Sequence, residues 1–415
     1  MKLSMLTPIS VTLAALVGAQ AQAADMPSRE EMWRIIQRQQ HEIETLKRQQ
    51  QSTEEKVEAT GEVLDSLQTA APASGTVYTE LGAKHGPFEH GKAGKTVVGG
   101  YGELHYNNLD TDSGNKKEID FHRAILFLGH QFSDDIRFFS EIEYEHADTS
   151  ANGAVELEQA YLEFDLNDRH SARAGLFLVP VGFLNETHEP PGFYGVERNP
   201  VETNIIPTTW WVGGAALKGE LAPGWGYDLA VHEGLDTGAA SNYAVRSGRQ
   251  KTSEADASDL AATGRIKWTG IAGVEVAASV QYQQDVTQGQ DAGAGNAWLY
   301  EAHTDIRRGR FGLRALYALW DLDGSGPASV GADEQKGFYI EPSFKVTPKL
   351  GLFARYNQWD NRAGNGSDSE KKEYQIGLSY WPHPDVVLKA DYQTQDNENS
   401  STEEDGFNLG VGYQF

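Results

Sequence analysis

Asp405-Gly-Phe-Asn-Leu-Gly-Val-Gly-Tyr-Gln-Phe415 reads as an extended strand with two unlike faces. Side chains alternate across a strand with period two. Phe407, Leu409, Val411, Tyr413 and Phe415 therefore share one face, and Asn408, Gly410, Gly412 and Gln414 share the other. A fully apolar face backed by a small or polar one suits a strand with lipid on one side and an aqueous lumen on the other. The alternative is the last strand of a soluble β-sandwich.

The beginning of the chain agrees. Lys2 precedes a mostly apolar stretch, Ile9 to Val17, and then Ala19-Gln-Ala-Gln-Ala23. That is the layout of an export leader with a small-residue cleavage site, expected over 1–23. The stretch is too short to span a bilayer as a helix, and no later segment approaches eighteen consecutive apolar residues. Any membrane crossing must then use the strands of a closed barrel, the other structure that satisfies its backbone in lipid.

The body of the chain repeats the pattern. Ile136, Phe138, Ile142 and Tyr144 alternate with Arg137, Glu141, Glu143 and Glu145. Val274, Val276, Ala278, Val280 and Tyr282 alternate with Glu275, Ser279, Gln281 and Gln283, and the runs from Tyr374 and Val386 behave alike. Sixteen strands are expected, starting near 97, 119, 135, 154, 170, 211, 225, 258, 273, 297, 311, 335, 350, 371, 385 and 405. Strand 119–132 fits both facings, because Ile125-Leu-Phe-Leu128 is apolar throughout. Short turns such as Ser133-Asp-Asp135, Asn167-Asp-Arg169 and Pro382-His-Pro384 alternate with longer polar loops near 108–117, 146–153, 179–210, 233–257, 285–296, 321–334, 360–370 and 396–404. Short turns at one end and long loops at the other are the habit of an outer-membrane barrel. Tyr106, Trp225, Trp268, Trp298, Trp320, Trp359 and Trp381 are expected in its interfacial girdles.

Composition narrows the choices. The chain has no cysteine, which excludes disulfides, thiolate metal sites and cysteine nucleophiles. The formal charge of −25 leaves no basic face for nucleic acid. No Gly-x-Ser-x-Gly elbow, phosphate loop or nucleophile–base constellation is present, so no enzyme is indicated and no cofactor is called for. The twelve histidines include no pair at zinc-site spacing, and His188-Glu189 and His232-Glu233 read as ordinary loop and lumen residues. Asp110-Thr-Asp112, Asp321-Leu-Asp323 and the acidic stretch 403–405 lack calcium-loop spacing and read as solvated carboxylates.

Residues 24–70 form a different module. Ile36, Ile43, Gln50, Val57 and Leu64 recur every seven residues, and Gln39, Leu46, Thr53, Thr60 and Leu67 follow three positions behind. This is a heptad seam with polar interruptions, expected as a periplasmic coiled coil; the alternative is a single solvated helix. Residues 71–95 are a linker, and 96–415 are the barrel.

The connection near 179–210 is the longest, and its prolines and aromatics suggest an ordered loop. Here the chain resembles the phosphate-selective porin O and P family. The resemblance rests on Arg173-Ala-Gly-Leu-Phe177, Pro180, Gly182, Glu186-Thr187, Glu197-Arg198-Asn199 and Glu158-Gln-Ala-Tyr161. It implies an all-β, sixteen-stranded antiparallel transmembrane barrel, set as a homotrimer in outer-membrane lipid and lipopolysaccharide. It also implies an inward third loop and a basic lumen that guides small anions such as phosphate. On the same ground Glu186, Glu197 and Arg198 belong to the constriction loop.

The charge balance departs from that picture. From Thr96 onward there are 25 Lys and Arg against 48 Asp and Glu, a balance of −23. Anion selection requires local cations that replace lost hydration. The candidates are Arg173, Lys218, Arg265, Lys267 and Arg355, with Arg307, Lys345 and Lys389 behind them. Each either faces the lumen freely or pairs with a carboxylate such as Glu163, Asp228, Glu275, Glu301 or Glu341. The readings open at this point are an anion channel, a channel for dicarboxylates or cations, and an envelope tether whose barrel is occluded.

Overall fold

The computed structural model describes residues 96–111, 114–150, 152–365, 369–397 and 403–415. The expected leader, coiled coil and linker lie outside the described residues.

Sixteen strands run in chain order: β1 (Thr96–Thr111), β2 (Gly114–Gln131), β3 (Ile136–Glu145), β4 (Ala154–Asn167), β5 (His170–Leu178), β6 (Trp211–Ala222), β7 (Trp225–His232) and β8 (Ala261–Ile271). They continue as β9 (Val274–Gln283), β10 (Ala297–Arg308), β11 (Phe311–Leu322), β12 (Glu334–Thr347), β13 (Leu350–Asp360), β14 (Lys371–His383), β15 (Val386–Asn397) and β16 (Glu404–Gln414). Every strand pairs antiparallel with its neighbours in sequence, and β1 pairs with β16, which closes the barrel. Closure removes the open edges that would otherwise leave unpaired N–H and C=O groups. Leu409, Val411 and Tyr413 of β16 point outward, as do Val276, Val280, Ile376 and Leu388. Asn408 points inward and is fully buried.

The ambiguous second strand is settled by its register. Arg123 pairs with Glu103 across the ladder and Ile125 is buried inside, while Leu126 and Leu128 stay exposed on the outer face. A ring cluster holds this facing: Phe127 lies 5.7 Å from both Tyr101 and Phe139.

Three expectations are corrected. The first connection is no loop, because β1 and β2 continue as a ladder to Thr111 opposite Gly114. The residues there are polar on both faces, so no apolar alternation marked them as strand. The eighth strand begins at Ala261, later than expected. Trp320 and Trp359 do not sit in a girdle; both are buried inside. Trp381 also turns inward, and its indole donates to Pro191 O at 3.2 Å. Trp225 and Trp268 do pack together on the outer wall, ring centroids 6.4 Å apart.

The largest apolar core lies inside the barrel rather than between sheets. The connection 179–210 between β5 and β6, here called the inner loop, folds into the lumen. Its Val179, Val181, Val201, Ile205, Ile206 and Trp210 pack on Leu299, Leu316, Ala318, Trp320 and Leu322 of β10 and β11. Leu235 and Val245 from the β7–β8 connection and Val286 from the β9–β10 connection cover them.

Candidate functional site: the loop-lined constriction

Two buried polar side chains give the inner loop its shape. Asn185 donates to Val179 O (2.8 Å) and Trp210 O (2.9 Å), and its Oδ1 accepts Trp210 N–H (2.7 Å), so it ties the two ends of the loop together. Glu202 sits in the short helix α1 (Val201–Asn204) and is completely buried. Its carboxylate accepts the N–H groups of Phe183 (2.9 Å) and Leu184 (2.7 Å), the Tyr339 hydroxyl (2.8 Å) and the Asn199 amide (3.3 Å). Burial pushes the Glu202 carboxyl above the ordinary carboxylate range, against these donors. Gly182 has φ +71°, and a Cβ there would lie 2.8 Å from Glu202 Oε2, so both backbone shape and space require glycine.

From this frame the loop crosses the lumen. Glu186 reaches Arg265 Nη1 on β8 at 2.5 Å. Near the opposite wall, Glu197 accepts from Asn107 on β1 at 3.1 Å and lies 2.9 Å from His105. Between these ends, Arg355 of β13 donates to Tyr194 O (2.7 Å) and Asp391 of β15 accepts Val196 N–H (2.6 Å). Arg198 turns back to its own loop and donates to Thr209 Oγ1 at 2.6 Å. Burial would raise the Glu197 carboxyl, but His105 outweighs it and holds the group down at about 2.

Above this crossing, on the side of the long loops, a cavity of about 330 Å³ separates the stretch around Glu197 and Arg198 from the wall strands β1, β2 and β14–β16. Its lining includes His105, His122, His146 and Asp120. Asp120 links two of these, with His146 Nδ1 at 2.7 Å and His122 Nδ1 at 3.3 Å.

Below the crossing, towards the short turns, the expected bases form a belt of ion pairs. Glu163 is the hub: Lys218 Nζ (2.7 Å), Arg137 Nη2 (2.8 Å) and Arg173 Nη2 (3.3 Å) converge on it, and Arg137 also holds Asp165. Glu163 is only 3 % exposed, whereas Arg173 and Lys218 are 15 % and 20 % exposed, so solvent in the lumen meets the cations first. Arg265 binds Asp228 at 2.7 Å, Lys267 lies 3.9 Å from Glu275, and Arg355 binds Glu341 at 2.6 Å. These pairs follow strand register: Glu163 opposes Arg173, and Asp228 opposes both Lys218 and Arg265. Arg307 pairs with Asp305 nearer the rim, at 2.7 Å. Two lysines sit on aromatic rings instead of carboxylates: Lys345 is 3.2 Å from the Trp381 ring centroid and Lys389 3.5 Å from that of Phe193.

The model of the family described as phosphate-selective porin O and P matches residues 96–415, the whole barrel. The chain belongs to that family. The porin is also 30 % identical over 390 residues to an uncharacterized protein of Aquifex aeolicus (strain VF5), with 84 % of this chain and 86 % of that one covered. Among solved structures it is similar to the outer-membrane channel DcaP of Acinetobacter baumannii, at TM-score 0.56 and 17 % identity, covering 79 % of this chain and 99 % of that one. It is similar too to an anion-selective porin from Comamonas acidovorans, at TM-score 0.55 and 11 % identity, covering 77 % and 99 %. At such identities these structures speak for the fold alone, a closed antiparallel barrel.

Sequence reading missed Asn185 and Glu202, which shape the porin's constriction. Neither sits in an alternating run, and polar residues in a polar loop give no sign that they will be buried. The one available signal was Gly182, which marks a close backbone approach.

Proposed function

We propose that the protein is a passive outer-membrane porin for small hydrophilic solutes that favours anions such as phosphate. It works as a homotrimer with its N-terminal extension in the periplasm. The observation that carries this reading is the cluster around Glu163. Arg137, Arg173 and Lys218 converge on Glu163 and Asp165, Asp228 and Arg265 continue the network, and the lumen meets Arg173 and Lys218 before it meets Glu163. An anion passing the inner loop exchanges part of its hydration shell for these donors. Lys345, held on the Trp381 ring face, adds positive field.

A specific observation favours a second reading, a channel for cations. The outer cavity is lined by Glu118, Asp120, Glu197, Glu373 and Glu404 against Lys116 and Arg198. Zero-current reversal potential and single-channel conductance in planar bilayers, under a salt gradient with phosphate added, separate the two. Anion selectivity with current block by phosphate supports the first. Cation selectivity without block gives the outer cavity control and overturns it. Removing 24–70 leaves the conductance of a porin intact, whereas a tether loses its purpose while its barrel still folds.

A further inference from the structure

Beneath the inner loop three side chains converge without hydrogen-bonding one another. Glu141 of β3, Glu158 of β4 and His188 of the loop are all buried, and one ligand atom from each lies within 4.8 Å of the other two. His188 Nε2 stands 3.7 Å from Glu141 Oε1 and 3.5 Å from Glu158 Oε2. Neither Glu158 oxygen accepts a hydrogen bond, and His188 Nε2 makes none, although these atoms are sealed from water.

The backbone aims each group. Glu158 is the extra residue of a β-bulge, where the ladder steps from Glu141 opposite Gln159 to Ile142 opposite Leu157. A bulge re-aims a side chain, and here it turns both Glu158 and Gln159 inward. Gln159 then donates to Glu141 Oε2 at 2.6 Å, and Oε1, which meets the cluster, has the Tyr101 hydroxyl at 3.5 Å as a long donor. His188 Nδ1 lies 3.2 Å from Asn185 O; a carbonyl only accepts, so Nδ1 carries the proton. Nε2 is the atom left to face the two carboxylates. A neutral ring would point its lone pair at two anions in a dry site, so a positive charge is called for there, either a second proton on the ring or a bound cation.

We propose that Glu141, Glu158 and His188 form a divalent transition-metal site, of the zinc class, that clamps the inner loop to β3 and β4. Three observations fit a metal better than a shared proton. Tetrahedral ligands at zinc bond lengths lie about 3.4 Å from one another, close to the 3.5 and 3.7 Å found here and too long for hydrogen bonds. The Nδ1–carbonyl contact and the Gln159–Glu141 bond are the outer-shell supports that orient metal ligands. One imidazole nitrogen with two carboxylate oxygens suits Zn²⁺ or Co²⁺ and not Mg²⁺ or Ca²⁺, which take oxygen ligands. The site is independent of solute selectivity; its effect is to fix the loop on the β3–β4 wall.

The test refolds the full chain with Zn²⁺ or Co²⁺, removes loose metal by gel filtration, and measures metal per chain, thermal unfolding and the Co²⁺ spectrum. Expected are one ion per chain, a higher unfolding temperature with metal, and the visible d–d absorption of Co²⁺ held by these three ligands and a water that enters with the ion. Glu158→Gln and His188→Gln should each weaken binding at least tenfold, with folding checked by heat-modifiable migration on gels, while His146→Gln in the outer cavity keeps the ion. Metal-free wild-type protein after this procedure overturns the proposal. So does retention by both inner variants together with loss in His146→Gln, which would put the ion among the outer histidines.

Discussion

The inner wall of the barrel has two unlike halves. Towards the long loops β10 and β11 turn Leu299, Leu316, Ala318, Trp320 and Leu322 inward, and the inner loop packs on them as on a core; further along the same strands Glu301, His303 and Arg314 face inward instead. On β1 and β14–β16 the inward positions are His105, Asn107, Gln375, Gln393 and Asn408, linked by bonds such as Asn107 to Asn408 (2.9 Å) and Asn408 to Gln393 (2.8 Å). The backbone is the same and both outer faces are apolar. A strand whose two faces are both apolar recruits a loop; a strand with one polar face leaves water beside it. The inner loop is packed on the apolar half and hydrogen-bonded to the polar one, through Glu197 to β1 and Val196 to Asp391 of β15.

The largest break in this comparison should come from Trp320→Ala. The indole is fully buried and donates to Ile205 O at 2.9 Å, so its loss costs about 3–5 kcal/mol. Urea unfolding should show it, and single-channel conductance should rise as the loop loosens. Asn408→Ala on the polar half should cost less, about 1–3 kcal/mol, because it removes hydrogen bonds to Asn107, Asp391 and Gln393 but little apolar volume. Equal costs would erase the distinction between the halves.

Of comparable size is Glu202→Ala, which orphans the Phe183 and Leu184 N–H groups and the Tyr339 hydroxyl. Each buried unpaired donor costs about 1–3 kcal/mol. Limited proteolysis should cut near 188–200 in this variant while the barrel stays folded. A loop that remains resistant would mean the apolar half holds it alone.

Charge changes come third. Arg173→Gln and Lys218→Gln each remove a cation from the Glu163 hub and should move the reversal potential towards cations. Glu163→Gln should move it the other way. Shifts of the same sign from all three would detach selectivity from this cluster.

The smallest effect concerns acid. Glu197, whose neighbours are His105, His122 and Asn107, has its folded-state carboxyl depressed to about 2 from the ordinary unfolded value of about 4.3. Its stabilising contribution is complete above the unfolded value and is lost as pH falls through the folded one. The tie to β1 should hold between pH 7 and pH 5 and weaken only below about pH 4, read as acid-induced current noise that Glu197→Gln shows already at neutral pH.

Much of the fold was legible because lipid imposes one rule on every strand. Tyr374, Ile376 and Leu378 announce an outer face regardless of their neighbours, and the strand starts followed from such runs. The lumen has no comparable rule. Trp320 and Trp359 read as girdle residues because strand ends attract tryptophan, yet loop packing drew them inward. The bases Arg173, Lys218 and Arg265 were visible by parity, but their partners depend on ladder register, which one strand cannot reveal. Glu158 entered only as part of the family resemblance, and its inward turn went unread for a related reason. Strict alternation fails at a bulge, and nothing in Leu157-Glu-Gln-Ala160 marks the slip.

The bonds joining Phe415 to Gly100, N–H to O at 2.9 Å and O to N–H at 3.0 Å, belong to a seam between strands some three hundred residues apart in the chain. Such a pairing carries the greatest loop-closure cost in the molecule and forms late. Until β16 docks, the nascent sheet has two bare edges, each able to recruit a strand from another chain. The timing of that last pairing, more than the strength of any one ladder, then sets how the protein divides between insertion and aggregation.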